Sequence, residues 1–263
     1  MDRLSEITFR LPATPASRAF LGELATLWAD VPYAGGDADG GLCLTPPHPA
    51  GAHPVTTFRL ADVPTPEVVF STGHAIGVWE SAEPPEDHVH PAPVELADLT
   101  RRLAGQVRRI DHTGVNVPSR FVPPEGWRDL VSGLAASSAL YRYPTGEEWP
   151  FVLPSTPDEL ADDIRDFVVG REPRFELVHE TRQTRTLWQF ALWTDLTRAE
   201  LQRLFPEPEG FTFPELADVF RVVPVASPWP DLGLRFDLCY RVDAGPTDWE
   251  TGEWLVTEGG RVR

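Results

Sequence analysis

Apolar and polar positions alternate with a period of two in many short stretches of this chain, and recur at helical spacing in fewer. Short apolar and β-branched stretches, some of them alternating, predict strands at Ile7–Leu11, Leu42–Thr45, Thr56–Leu60, Val68–Ser71, Ile76–Glu80 and Ile110–Val117. Further strands are expected at Pro150–Leu153, Phe175–His179, Leu187–Thr194, Arg221–Val225, Leu234–Val242 and Glu253–Thr257. Their β-branched and aromatic residues suit a pleated, half-buried surface. Helices are expected over Ala16–Trp28, Trp127–Leu140 and Val94–Arg109, the last with Leu96, Leu99, Leu103 and Val107 on one face. Three more helix starts carry chemical signals. Thr156-Pro157-Asp158-Glu159 offers a cap, a proline at the first position and a capping-box carboxylate. Leu160, Ile164, Phe167 and Val168 then share a face, and Gly170 stops the run. Thr197-Arg198-Ala199-Glu200 opens another helix ending near Phe205, and Thr212-Phe213-Pro214-Glu215 a shorter one.

Strands and helices do not alternate strictly, so the pattern predicts an α+β fold with a mixed or antiparallel sheet and flanking helices. The Pro- and acid-rich stretch Ser81–Pro93 reads as a linker. It divides the chain into an N-terminal module over 1–93, a connecting helix over 94–109 and a C-terminal module over 110–263. Thr-Phe-Arg-Leu at 8–11 recurs at 57–60. Strand-led units beginning near residues 7, 57, 110 and 187 predict two duplicated modules.

Composition narrows the partners. The formal net charge of −17 disfavours nucleic-acid phosphates and anionic lipid surfaces. All 23 basic residues are Arg, which removes Schiff-base and lysine-base chemistry. Nine Trp and fourteen Phe supply large buried areas. Cys43 and Cys239 sit in apolar, strand-like runs and read as small core residues, without a C-x-x-C pattern for redox or zinc work. No run of about 18 apolar residues and no signal-peptide pattern occur, so a cytoplasmic protein is expected.

The segment Ile110-Asp111-His112-Thr113-Gly114-Val115-Asn116-Val117-Pro118 is the most telling. It resembles the opening strand of the vicinal oxygen chelate superfamily, which includes glyoxalase I, extradiol dioxygenases and antibiotic-resistance proteins. That resemblance implies paired βαβββ units forming a cupped sheet, and the duplicated pattern here is similar. It also implies a divalent metal (Fe²⁺, Mn²⁺, Ni²⁺ or Zn²⁺) held in the cup, with open positions for a bidentate substrate. His112 would be the first ligand and Gln189 the second. A carboxylate from the closing strands would complete the set: Glu250, with Asp237 and Glu253 as alternatives. Phe9 and Phe58 stand where the first module would supply ligands, which places the expected site in the second module. The plainer reading makes His112 and Gln189 ordinary hydrogen-bonded strand residues.

Other candidates are weaker. Asp87-His88-Val89-His90 lies in the Pro-rich linker and reads as a solvated loop. No G-x-S-x-G elbow, G-x-G-x-x-G or P-loop is present. Glu147-Glu148 and Asp162-Asp163 read as solvated faces. Trp249 and Trp254 flank a hairpin turn at Glu250-Thr251-Gly252, and Trp149, Trp188, Trp193 and Trp229 fall in the same half of the chain. Trp188, Trp254 and His179 are therefore candidate ligand-binding residues, core packing being the competing reading for the tryptophans. The functional expectation is a small-molecule lyase, isomerase or dioxygenase that uses a divalent metal. The alternatives are a metal-free module binding an apolar ligand, and an interaction protein with no catalytic site. A small-molecule ligand is the expected partner, without nucleic acid or membrane, and the reading allows a homodimer.

Overall fold

The computed structural model describes residues 4–37, 39–45, 54–78, 92–118, 140–142, 153–154, 166–169, 173–180, 185–212 and 220–240. The chain opens with β1 (Glu6–Pro12), followed by α1 (Pro15–Leu27). Thr14 caps that helix, its hydroxyl accepting from the Ser17 amide at 3.2 Å. Then come β2 (Ala34–Gly36), β3 (Leu42–Leu44), β4 (Val55–Ala61), β5 (Glu67–Phe70) and β6 (Ala75–Ile76). These six form one mixed sheet in the order β2-β3-β4-β1-β5-β6.

After α2 (Leu96–Arg102) the chain enters β7 (Val107–Pro118). The second sheet continues with β8 (Leu140–Arg142), β9 (Leu153–Pro154), β10 (Asp166–Val169), β11 (Arg174–Glu180) and β12 (Leu187–Thr194). It closes with β13 (Phe220–Val225) and β14 (Gly233–Cys239), and α3 (Arg198–Leu204) lies between β12 and β13. The order is β13-β14-β12-β7-β11-β10-β8-β9. Two mixed sheets with few helices make an α+β fold of two sheet modules, as the pattern predicts. Thr197 and Glu200 form the reciprocal capping box of α3, as that tetrad predicts.

Three parallel strand pairs organise both sheets: β1 with β4, β7 with β11, and β12 with β14. β7 and β12 then join edge to edge, antiparallel. On β1 the corresponding edge is taken by β5.

The pairing explains the Thr-Phe-Arg-Leu recurrence. Thr8, Phe9, Arg10 and Leu11 lie directly opposite Thr57, Phe58, Arg59 and Leu60. Residue 57 therefore does not begin a unit, as the repeat suggests; it lies in the strand that closes the first one.

Other local expectations are overridden. The helix expected over 94–109 ends at Arg102, and Gly105 adopts a positive φ of 68° before the strand starts at Val107. Phe167 and Val168, expected on a helix face, pair instead in β10 with Leu177 and Glu176. Leu140, expected to end a helix, lies in β8. The strand expected over 76–80 stops at Ile76. The remainder of the helices expected at 127–140 and 156–170, the body of the one at 212, and the strand at 253–257 lie outside the described residues.

The sheets meet through their aromatic faces. Phe9 stacks on Phe58 with ring centroids 4.6 Å apart, and meets Trp188 edge-on at 4.9 Å. Phe70 packs on Phe175, and Phe190 on Phe58 and Phe236. α1 closes the side of this layer, Phe20 packing against Trp229 and the adjoining Trp28 against Phe58. Aromatic burial on this scale is the main stabilising contribution. Cys43 is half-buried and Cys239 buried, and the two do not form a disulfide. Among the described residues no helix is long and apolar enough to cross a membrane.

Candidate functional site on the polar face

The face of the second sheet that turns away from this aromatic layer carries charge. The registers define two adjacent rows across its four central strands. One row reads Glu176, Gly114, Gln189, Arg235; the other reads Arg174, His112, Ala191, Asp237. Residues two apart on a strand share a face, so both rows lie on one side.

A bulge adds a further group. The register passes from His112 opposite Ala191 to Ile110 opposite Leu192, leaving Asp111 as the extra residue. Such an insertion lets two successive side chains emerge on one face. Asp111 Oδ2 lies 2.8 Å from His112 Nδ1, and its Oδ1 accepts from Arg174 Nη2 at 2.7 Å and Trp193 Nε1 at 3.1 Å. Arg109 lies over the Trp193 ring at 4.5 Å.

With Nδ1 held by Asp111, His112 directs Nε2 to Glu176 Oε2 at 3.0 Å. Gln189 Nε2 donates to the same Glu176 oxygen, and Gln189 Oε1 accepts from Arg235 Nη2. Arg235 also reaches Asp237 Oδ2 at 3.0 Å. Gly114 is what lets Gln189 fold across the strand. A Cβ there would come within 2.8 Å of Gln189 Cγ and Nε2 and 2.9 Å of the Glu176 carbonyl.

Burial and charge set the protonation states. Burial works against a charged imidazole, yet the Glu176 carboxylate and the Asp111 hydrogen bond overcome it and push His112 up to about 10. Burial likewise opposes ionisation of Asp111, but Arg174 and His112 hold it well below the usual carboxylate range. Glu176 is lowered too, burial being outweighed by His112 and Arg235. Asp237 goes the other way: burial pushes it up, with Arg235 only partly compensating. Its Oδ1 is buried with no hydrogen-bond partner among the described residues.

Of the residues singled out from sequence, His112 and Gln189 come together, their Nε2 atoms 3.4 Å apart. Glu250 and Trp254 lie outside the described residues, as do Glu253, Trp249, Trp149 and the Asp87–His90 loop. Trp188 is buried in the aromatic layer against Phe9, on the opposite side of the sheet from His112. His179 occupies the ladder position opposite Val117. Phe9 and Phe58 are turned into the core, and the other side of their strands carries Glu6, Thr8 and Thr57 in a hydrogen-bonded group.

The sequence reading passed over Glu176, Arg174, Arg235 and Asp111. A signal for three of them exists. Arg174-Phe175-Glu176-Leu177 recurs as Arg235-Phe236-Asp237-Leu238, and the two tetrads occupy equivalent places. Arg174 is opposite His112, and Arg235 is opposite Gln189. Glu176 and Asp237 each follow two residues on, while Phe175 and Phe236 turn to the core.

Among the described residues no group of three or more His, Cys, Asp or Glu side chains is placed to hold a metal ion. The donor set fits one in kind once the Gln189 amide is counted. His112 offers an oriented imidazole nitrogen, Glu176 a carboxylate oxygen beside it, and Asp237 a buried oxygen with no other partner.

No protein-family model matches the chain, and a search of curated proteins finds no match. Among solved structures the chain is similar to a xylose isomerase-like TIM barrel/4-hydroxyphenylpyruvate dioxygenase fusion protein. The identity is 12% and the TM-score 0.36, over 93% of this chain and 50% of that one. The chain thus spans about half the length of that fusion protein.

Proposed function

We propose that the polar face of the eight-stranded sheet is the active site of a metal-dependent enzyme of vicinal oxygen chelate type, acting on a small molecule as an isomerase, lyase or dioxygenase. The observation that supports this is the meeting of His112, Glu176 and Gln189 on three adjoining strands, with Asp237 as the counterpart of Glu176 on the fourth. A divalent ion would be held by these residues, displacing the His112 proton as it binds, and would supply Lewis-acid polarisation of a bidentate oxygen substrate. Asp111 orients the His112 ring. Arg235 supplies a fixed positive charge where negative charge develops on substrate oxygen.

The test is titration calorimetry of the tag-free chain with Fe²⁺, Mn²⁺, Ni²⁺ and Zn²⁺, repeated on His112→Ala and Glu176→Gln. One ion bound per chain, with affinity lost in both variants, supports the proposal. Absence of binding to the unsubstituted chain overturns it.

A second reading is favoured by one observation. Arg235 already bonds Gln189 Oε1 and Asp237, placing a cation within the cluster. On that reading the site binds its ligand without metal, and tryptophan fluorescence, through Trp193 beside Asp111, responds to ligand alone.

A further inference from the structure

We infer that Tyr33, which belongs to the first sheet's unit, is a positioning residue for the site on the second: it holds the bulge that turns Asp111 and His112 to the same face. Tyr33 lies between α1 and β2. Its hydroxyl accepts from the Ile110 amide at 2.7 Å and donates to the Ile110 carbonyl at 3.0 Å. Ile110 is the residue at which the β7–β12 register resumes after Asp111, and it is fully buried.

A bulge disrupts the ladder locally, and buried main-chain groups left without partners are costly. One phenolic hydroxyl takes both groups of Ile110. Without it the strand would relax toward regular alternation. Alternation from Thr113, which lies opposite the core residue Phe190, would then send Asp111 toward the aromatic layer. Asp111 would part from His112 Nδ1, Arg174 and Trp193 together. The first unit, whose own phenylalanines face the core, thereby contributes to the site from behind.

The inference rests on the proposed site only in giving His112 its importance, and its test involves neither metal nor substrate. The ring-nitrogen chemical shifts of His112 at a fixed neutral pH, and amide exchange at Ile110 and Asp111, are compared in the full chain and in Tyr33→Phe. The expected result is a displaced Nδ1 resonance, because Asp111 has moved, and exchange at Ile110 faster by about tenfold or more. A variant that melts at lower temperature but keeps both His112 resonances makes Tyr33 merely structural and overturns the inference. Should Tyr33→Phe fail to fold, the unsubstituted chain decides. A slowly exchanging Tyr33 hydroxyl proton close to the Ile110 amide is expected, and rapid exchange of that proton overturns the inference. Failure to bind any divalent ion leaves these outcomes untouched.

Discussion

Glu176 on β11 and Asp237 on β14 are counterparts, each two residues beyond an arginine and each on the strand parallel to the one carrying His112 or Gln189. Their environments differ. Glu176 has the His112 imidazole at 3.0 Å and is lowered, whereas Asp237 has an oxygen without a hydrogen-bond partner and is raised by burial. Neutralising the two should have unequal effects on the ligand-free protein. Glu176→Gln removes the counter-charge of a buried imidazolium and should cost about 2–4 kcal/mol. Asp237→Asn removes a carboxyl group whose ionised form burial disfavours and should cost less than about 1 kcal/mol. Urea unfolding at neutral pH compares them, and equal losses would contradict the assigned charge states.

The histidine makes stability depend on pH with a definite sign. His112 is raised from 6.5 in the unfolded chain to about 10 in the folded one. Its contribution is therefore fully present below pH 6.5 and is lost as pH rises through 10. Asp111 and Glu176, both lowered, contribute above the ordinary carboxylate range and lose that contribution in acid. Between pH 6.5 and 10 the urea midpoint of the unsubstituted chain should fall more steeply than that of His112→Gln. Parallel curves would mean that His112 is neutral in the folded protein.

Gly114 is required by contact, not by backbone conformation. Gly114→Ala should displace Gln189 from Glu176 and cost about 1–3 kcal/mol as an overpacked site. A urea melt measures the cost, and the Gln189 side-chain amide resonances report the displacement. An unchanged amide spectrum would show that the strands can part to admit a methyl group.

Phe9 tests whether the sheets unfold together. Its ring touches Phe58 in its own sheet and Trp188 in the other. Phe9→Ala should cost about 3–5 kcal/mol and lower a single calorimetric transition. Two separated transitions would mean that each sheet is stable without the other.

The strands were legible from their β-branched and aromatic residues, and Leu187–Thr194 coincides with β12 at both ends. The far end of the helix expected over Val94–Arg109, and the helix expected around Phe167, were misread because apolar residues at i, i+3 and i+4 also occur in strand-rich stretches. Tertiary pairing of Val168 with Tyr141 and Glu176 decided the second case. His112 and Gln189 were legible as strand-borne polar residues. Glu176 was not, since a lone acid between Phe175 and Leu177 looks like the solvated side of any strand. Its place beside His112 follows from a parallel pairing across more than sixty residues of chain. The bulge was invisible for a similar reason: Asp111 and His112 are neighbours, and alternation alone puts them on opposite faces.

The β5–β6 hairpin has a consequence for assembly. By bonding β1 along Ile7–Arg10, it fills the edge that β7 and β12 use to join each other. Among the described residues, the β1 edge is thereby already occupied and offers no open strand for a like unit to pair with. Unsealed edges of this kind template runaway polymerisation. The hairpin caps the inner strand of the first sheet, so that this unit meets the second through its aromatic face and not through a shared ladder.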